Sequence, residues 1–158
     1  MSEGTFYIAN ADVDERNVIT WNHELEQERK SAVFDLTNNC YFKLNQRNTG
    51  PYKIKIKFEE WRLYLTITDL YDNQKYEKKF VVSNIRRIIR DYQIVCDNYV
   101  EAIKTAPLKK IEAIDVGRRS IHDEGSLILQ EILQPDIDIS ADTARRLFTL
   151  ISILSLKI

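Results

Sequence analysis

Between residues 52 and 82 the chain alternates apolar and polar side chains in three successive runs, and this pattern restricts the fold more than any other feature. Tyr52, Ile54, Ile56 and Phe58 alternate with Lys53, Lys55 and Lys57; Leu63, Leu65 and Ile67 alternate with Arg62, Tyr64, Thr66 and Thr68; Tyr76, Phe80 and Val82 form a third, less regular run. Successive side chains on a strand point to opposite faces, so this pattern predicts three strands with one buried and one wet face. The joints at Glu59-Glu60 and Asp72-Asn73 are short, which predicts antiparallel neighbours. The three-lysine row reads as a solvated face or as protection for an edge strand.

The flanking regions supply short strands and helices. Phe6, Ile8 and Val13 suggest a strand ending near Asp14, and residues 40–44 and 136–139 suggest two more. A helix is expected from Asn22 to about Asn38, with Leu25, Ala32, Val33 and Leu36 inward and Glu24, Glu26 and Glu28 at its dipole-favoured start. Gly50-Pro51 is a break. Ser83 or Asn84 is expected to cap a helix reaching Ala106, with Ile85, Ile88, Ile89, Tyr92, Cys96, Tyr99 and Ile103 buried. Pro107 opens a further helix to about Gln134 with an isoleucine row, and Ser140 caps a last one that is apolar on most sides. The expected architecture is α+β: a single domain over residues 1–158, with a three-stranded meander around 52–82 plus short strands, packed against about four helices. A chain of 158 residues suits one domain, and only four Gly and three Pro leave little room for linkers.

Charge is uneven although the net value is -1. Residues 1–40 carry 3 basic and 8 acidic side chains, residues 41–110 carry 15 and 8, and residues 111–158 carry 5 and 8. A basic middle between acidic ends offers an anion a face, or is neutralised by the folded ends. Cys40 and Cys96 lie far apart and form no disulfide framework, and Cys96 on an apolar stripe reads as a small core residue. No leader peptide is expected from the acidic start, and the apolar stretch from Leu147 to Ile158 is far short of the ~20 residues a membrane span needs. The expected location is the cytoplasm. No phosphate loop, nucleophile elbow, zinc spacing or nucleic-acid signature occurs. No cofactor, metal, membrane or nucleic-acid partner is therefore expected.

Three arginine pairs stand in places where arginine is awkward: Arg86-Arg87, Arg118-Arg119 and Arg145-Arg146. Arg86 and Arg87 fall at a helix start that already carries roughly half a positive charge, so a bound anion or a local pair such as Arg87–Asp91 must offset them. Arg118 and Gly125 interrupt the inward register 111, 114, 118, 121, 125, 128, 132, whose other members are isoleucine. An inward arginine is paired or carries its charge back to water, and a mid-helix glycine costs roughly 1 kcal/mol against alanine, which close approach or ligand room explains. Asp115, Arg119, His122 and Ser126 share a neighbouring face.

Arg118, Arg119 and His122, with Arg86 and Arg87, are thus candidate anion-binding residues, and Glu124 is a candidate acid/base partner for His122. The plain structural reading is an Arg–acid lock between helices. The leading functional reading is a cytoplasmic binding module with an arginine-lined site for a small anionic ligand or an acidic protein. One alternative is a small hydrolase or transferase using His122, Glu124 and Arg118. Another is a self-associating structural protein, such as a homodimer formed through the apolar final helix.

Glu28–Leu36, Gly50–Tyr52, Arg86–Tyr92, Ile111–Arg119, His122–Ser126 and Asp142–Phe148 together resemble an uncharacterised family of short alphaproteobacterial proteins of unknown function. The resemblance spans nearly the whole chain and implies a bacterial origin. It implies no activity, substrate or catalytic residue.

Overall fold

The computed structural model describes residues 5–14 and 23–156. The alternating runs form β3 (Tyr52–Glu59), β4 (Arg62–Asp69) and β5 (Gln74–Val81), paired antiparallel with Ile54 opposite Ile67 and Ile67 opposite Tyr76. β1 (Ile8–Val13) lies parallel to β3, which gives the order β1-β3-β4-β5. β3 is therefore an inner strand, and its lysines form a solvated face rather than an edge guard. β2 (Phe42–Leu44) and β6 (Ile137–Ile139) make a separate antiparallel pair. The stretch from Phe6 to Ile8 ties the two sheets together: Phe42 N–H donates to Phe6 O, and Tyr52 N–H to Tyr7 O.

The first meander turn sits one residue later than the sequence pattern predicts. Glu60 and Trp61 occupy it with φ of 52° and 57°. Two left-handed residues match the right-handed twist of the strands, but without glycine each costs about 1–2 kcal/mol. Trp61 is held there by Phe58, edge-on at 5.2 Å, and by the Arg86 guanidinium 5.6 Å from its ring.

The helices are α1 (His23–Asp35), α2 (Arg86–Thr105), α3 (Leu108–Leu133) and α4 (Ala141–Leu154). The architecture is thus the expected α+β. Asn22, the expected start of α1, lies outside the described residues. α2 is entered through a 3-10 turn, Ser83–Ile85, and neither Ser83 nor Asn84 caps it with a side chain. The turn instead drives Ile85 fully into the core. Ser140 does cap α4, its Oγ accepting from Thr143 N–H at 3.2 Å. α4 is an interior helix: Leu147, Phe148, Leu150, Ile151 and Leu154 are buried, between α1 and α3. Its apolar character belongs to the core rather than to a contact between copies. Among the described residues no helix is long and apolar enough to cross a membrane.

Two expected buried rows need correction. Ile103 is 52% exposed, and from residue 90 to residue 124 only Ala102 is buried. The outer half of the α2–α3 hairpin has no third layer over it, so its apolar stripe stays half wet. On α3 the buried positions are Gly125, Ser126, Leu129 and Leu133, while the isoleucine row lies along a half-buried flank.

Gly125 is explained by packing. A Cβ there would lie 2.2 Å from Phe148 Cε1, whereas a Cβ at Gly117 would meet nothing within 4 Å. The two glycines should therefore answer alanine with opposite signs. Gly125→Ala overpacks the α3–α4 contact and should destabilise by roughly 1–3 kcal/mol, about 3–10 °C in Tm. Gly117→Ala should stabilise by about 0.5–1 kcal/mol through backbone entropy and helix propensity alone. Thermal unfolding of the two variants checks both.

Candidate functional site

The third turn of α4 and the middle of α3 enclose, with Tyr92 of α2, a groove of about 760 Å³. Arg118, Arg119 and His122 reach it from α3, and Arg145 and Thr149 from α4. Local helix geometry sets most of this. Residues three or four apart share a face. Arg118 pairs with Asp115 one turn back, and Arg119 Nη2 lies 2.9 Å from the other oxygen of the same carboxylate. The Arg118 guanidinium also sits 5.2 Å from the Tyr99 ring, so its stem runs along α2 and its charge returns to the groove.

The expected lock between helices exists, but on a different arginine. Arg118 pairs within its own helix, whereas Arg145 of α4 donates to Asp123 of α3 through Nε at 3.1 Å and Nη2 at 2.8 Å. The Arg145 and Asp123 side chains are 49% and 55% exposed, so water competes for the pair and it contributes little stability. Arg119 is 65% exposed and equally free to turn toward a ligand.

His122 forms part of the floor. Its ring lies 5.1 Å from Phe148 and 5.2 Å from Tyr92, edge to face with both. Thr149 Oγ1 gives its proton to Arg145 O at 3.1 Å and so accepts from His122 Nε2–H at 2.8 Å. Ser126 Oγ gives its proton to His122 O at 2.6 Å, leaving Nδ1 bare 3.4 Å from an oxygen. The neutral ring protonated on Nε2 satisfies this arrangement. Burial pushes the imidazole pKa below 6.5; Asp123 opposes the shift, and Arg145 and Arg118 add to it. Burial likewise pushes the Tyr92 hydroxyl up to about 12. The Arg118 hydrogen bond holds the Asp115 carboxyl below its usual range.

The other sequence candidates lie elsewhere. Arg86 is occupied with Trp61, and neither Arg86 nor Arg87 lines the groove. Glu124 is exposed and two positions from His122, which places the pair on different sides of α3. Arg146 is spent on structure: its Nη1 donates to Asp35 O at 2.8 Å and to Asn38 O, satisfying carbonyls where α1 ends. The helical period places Tyr92 in the expected buried stripe of α2 and gives Thr149 no role beyond interrupting the apolar run of α4, and nothing in the sequence brings Arg145 to Asp123. Among the described residues no three His, Cys, Asp or Glu side chains converge as metal ligands.

Fold and site together define a small α+β domain whose helical layer carries a cationic groove. The chain belongs to UPF0262, an uncharacterised protein family whose model matches residues 6–157. A UPF0262 protein of Ruegeria sp. (strain TM1040) is 40% identical over 152 residues, 93% of this chain and 96% of that protein. One from Novosphingobium aromaticivorans is 40% identical over 158 residues, 95% and 96% of the two chains. One from Brucella abortus is 41% identical over 132 residues, 83% and 82%. No solved structure matches.

The depressed His122 pKa makes stability pH-dependent with a definite sign. The unfolded imidazole protonates first, so this contribution is present above the unfolded value of 6.5 and is lost as pH falls below it. Urea unfolding at about pH 7.5 and about pH 5.5 should show wild type losing more stability than His122→Gln over that interval.

Proposed function

We propose that this chain is a bacterial cytoplasmic binding module that takes an anionic group, phosphate or carboxylate, in the groove between α3 and α4. One observation carries the reading: three guanidinium groups from two helices and an imidazole line one groove. Arg119 and Arg145 supply forked donors suited to such oxygens; the Arg145–Asp123 pair is exposed and easily exchanged, and the Arg119 guanidinium is itself exposed beside the half-buried Asp115. Arg118, fixed by Asp115 and Tyr99, sets the field without having to move. An anion in the groove would also favour protonated His122, whose Nδ1 would then donate to Ser126 Oγ.

The acid–base alternative has no geometric support, because Glu124 points away from His122. A binding module of this kind discriminates by charge and shape and need not transform what it holds.

Thermal-shift and calorimetric titrations with inorganic phosphate and citrate provide the test. A ligand at about 100 times its Kd stabilises by roughly 2.7 kcal/mol, about 5–10 °C for a domain of this size. Arg119→Ala and Arg145→Ala should each weaken binding by about tenfold, and the double variant should abolish the shift. Anion-induced shifts of equal size in the double variant and in wild type would sink the reading, as would their absence in wild type.

A further inference from the structure

Tyr92 and Thr149 line the arginine groove and also a second groove of about 570 Å³ between α1, α2 and α4. The two hollows share these walls and follow one another across the helical layer. Their chemistry is opposite. The second has an apolar floor, including Cys96, Val100, Ile153 and Leu156, and every charged side chain lining it is an acid: Glu28, Asp35 and Asp97. Val100 is 51% exposed and Leu156 41%, so among the described residues apolar surface there is left uncovered. The Cys96 thiol marks the boundary between the two fields. Burial pushes its pKa up, the Tyr92 hydrogen bond and Arg118 pull it down, and Asp97 and Glu28 push it up again.

We infer that these two adjoining grooves together receive an amphipathic helix of another protein, its acidic N-terminal end among Arg118, Arg119 and Arg145, its apolar stripe over Val100 and Leu156, and its basic C-terminal end against Glu28 and Asp97. The inference rests on the arginine-groove reading and names its partner.

Three observations select this occupant. A lone small anion satisfies the arginines but leaves the apolar half uncovered. Acids first and bases last is the charge order that a helix dipole itself favours, so a partner helix has this polarity without special design. A second copy of this chain does not supply such a helix: α1 has acids in its first turn but no base in its last, α2 and α3 have no acid in their first turns, and α4 is buried. Partner side chains at helical spacing would lie along the floor between α2 and α4, adding a helix to the layer.

The test uses labelled peptides of about 18 residues, roughly 27 Å as a helix, read by fluorescence anisotropy on the full chain. The first has glutamates in its opening turns, a leucine stripe at helical spacing and lysines in its closing turns. The second exchanges the glutamates and lysines, and the third replaces the leucines by glutamine. The first should bind at least about tenfold more tightly than either of the others. Val100→Asp should weaken it by a similar factor while leaving the thermal shift from inorganic phosphate unchanged. Asp97→Lys combined with Glu28→Lys should erase the preference between the first two peptides. Equal binding of the first and second peptides, or indifference to Val100→Asp, overturns the inference; if phosphate still protects wild type but not the Arg119/Arg145 double variant, the anion site survives that failure. Absence of both peptide binding and the phosphate shift overturns both.

Discussion

The helical layer depends on the contact between Phe148 and the bare backbone of Gly125. The ring occupies the space where any other residue would place a Cβ, so α4 lies closer to α3 than side chain against side chain would permit. Phe148 is fully buried, and from that seat its ring meets Tyr92 at 5.6 Å and His122 at 5.1 Å. One aromatic side chain thus fixes the mutual placement of three helices. Two of these rings, Tyr92 and His122, line the groove and rest on the third, which ties its shape to the core.

The arginines show how poorly residue count alone marks a site. Arg86 braces a strained turn through Trp61, and Arg146 satisfies carbonyls at the end of α1. Arg47 reaches the buried carboxylate of Asp69 at 3.2 Å and donates to the Tyr76 hydroxyl at 2.7 Å, joining the approach to β3 to the β4–β5 hairpin. These guanidinium groups are committed to holding backbone in place. Arg118, Arg119 and Arg145 differ because their partners are carboxylates at the groove margin rather than buried acceptors. The exposed Arg145–Asp123 pair contributes little to folding, so exchanging that carboxylate for another costs little.

What could be read from the sequence follows from how local each determinant is. The β3–β4–β5 meander, the Pro107 boundary and the Ser140 cap rest on neighbouring residues, and all three stand, with the first meander turn shifted by one residue. β1 beside β3 depends on pairing across an intervening helix and strand, which no local period encodes. The inner face of α3 was misplaced because α2 and α4 both pack on that helix, so apolar residues spread over a wide arc and the isoleucines mark its flank. Arg118 stood out as an arginine in the expected inward register, yet that register is a half-buried flank and its partner lies one turn away on its own helix. Thr149 and Tyr92 became visible as site residues only once Phe148 brought α2, α3 and α4 together. His122 lines the groove but Glu124 does not, since a spacing of two turns side chains apart on a helix.

The pairing of β2 with β6 joins residues 42–44 to residues 137–139, so the β3–β4–β5 meander and the α2–α3 hairpin both lie within one large loop. Closing a loop of that length costs entropy before any contact repays it. The meander and the α2–α3 hairpin, by contrast, need only near neighbours. Neither local unit needs the small sheet in order to form, whereas the β2–β6 pair must close the loop that contains both. Both grooves take a wall from α4, so a nascent chain does not possess them until synthesis has passed that helix.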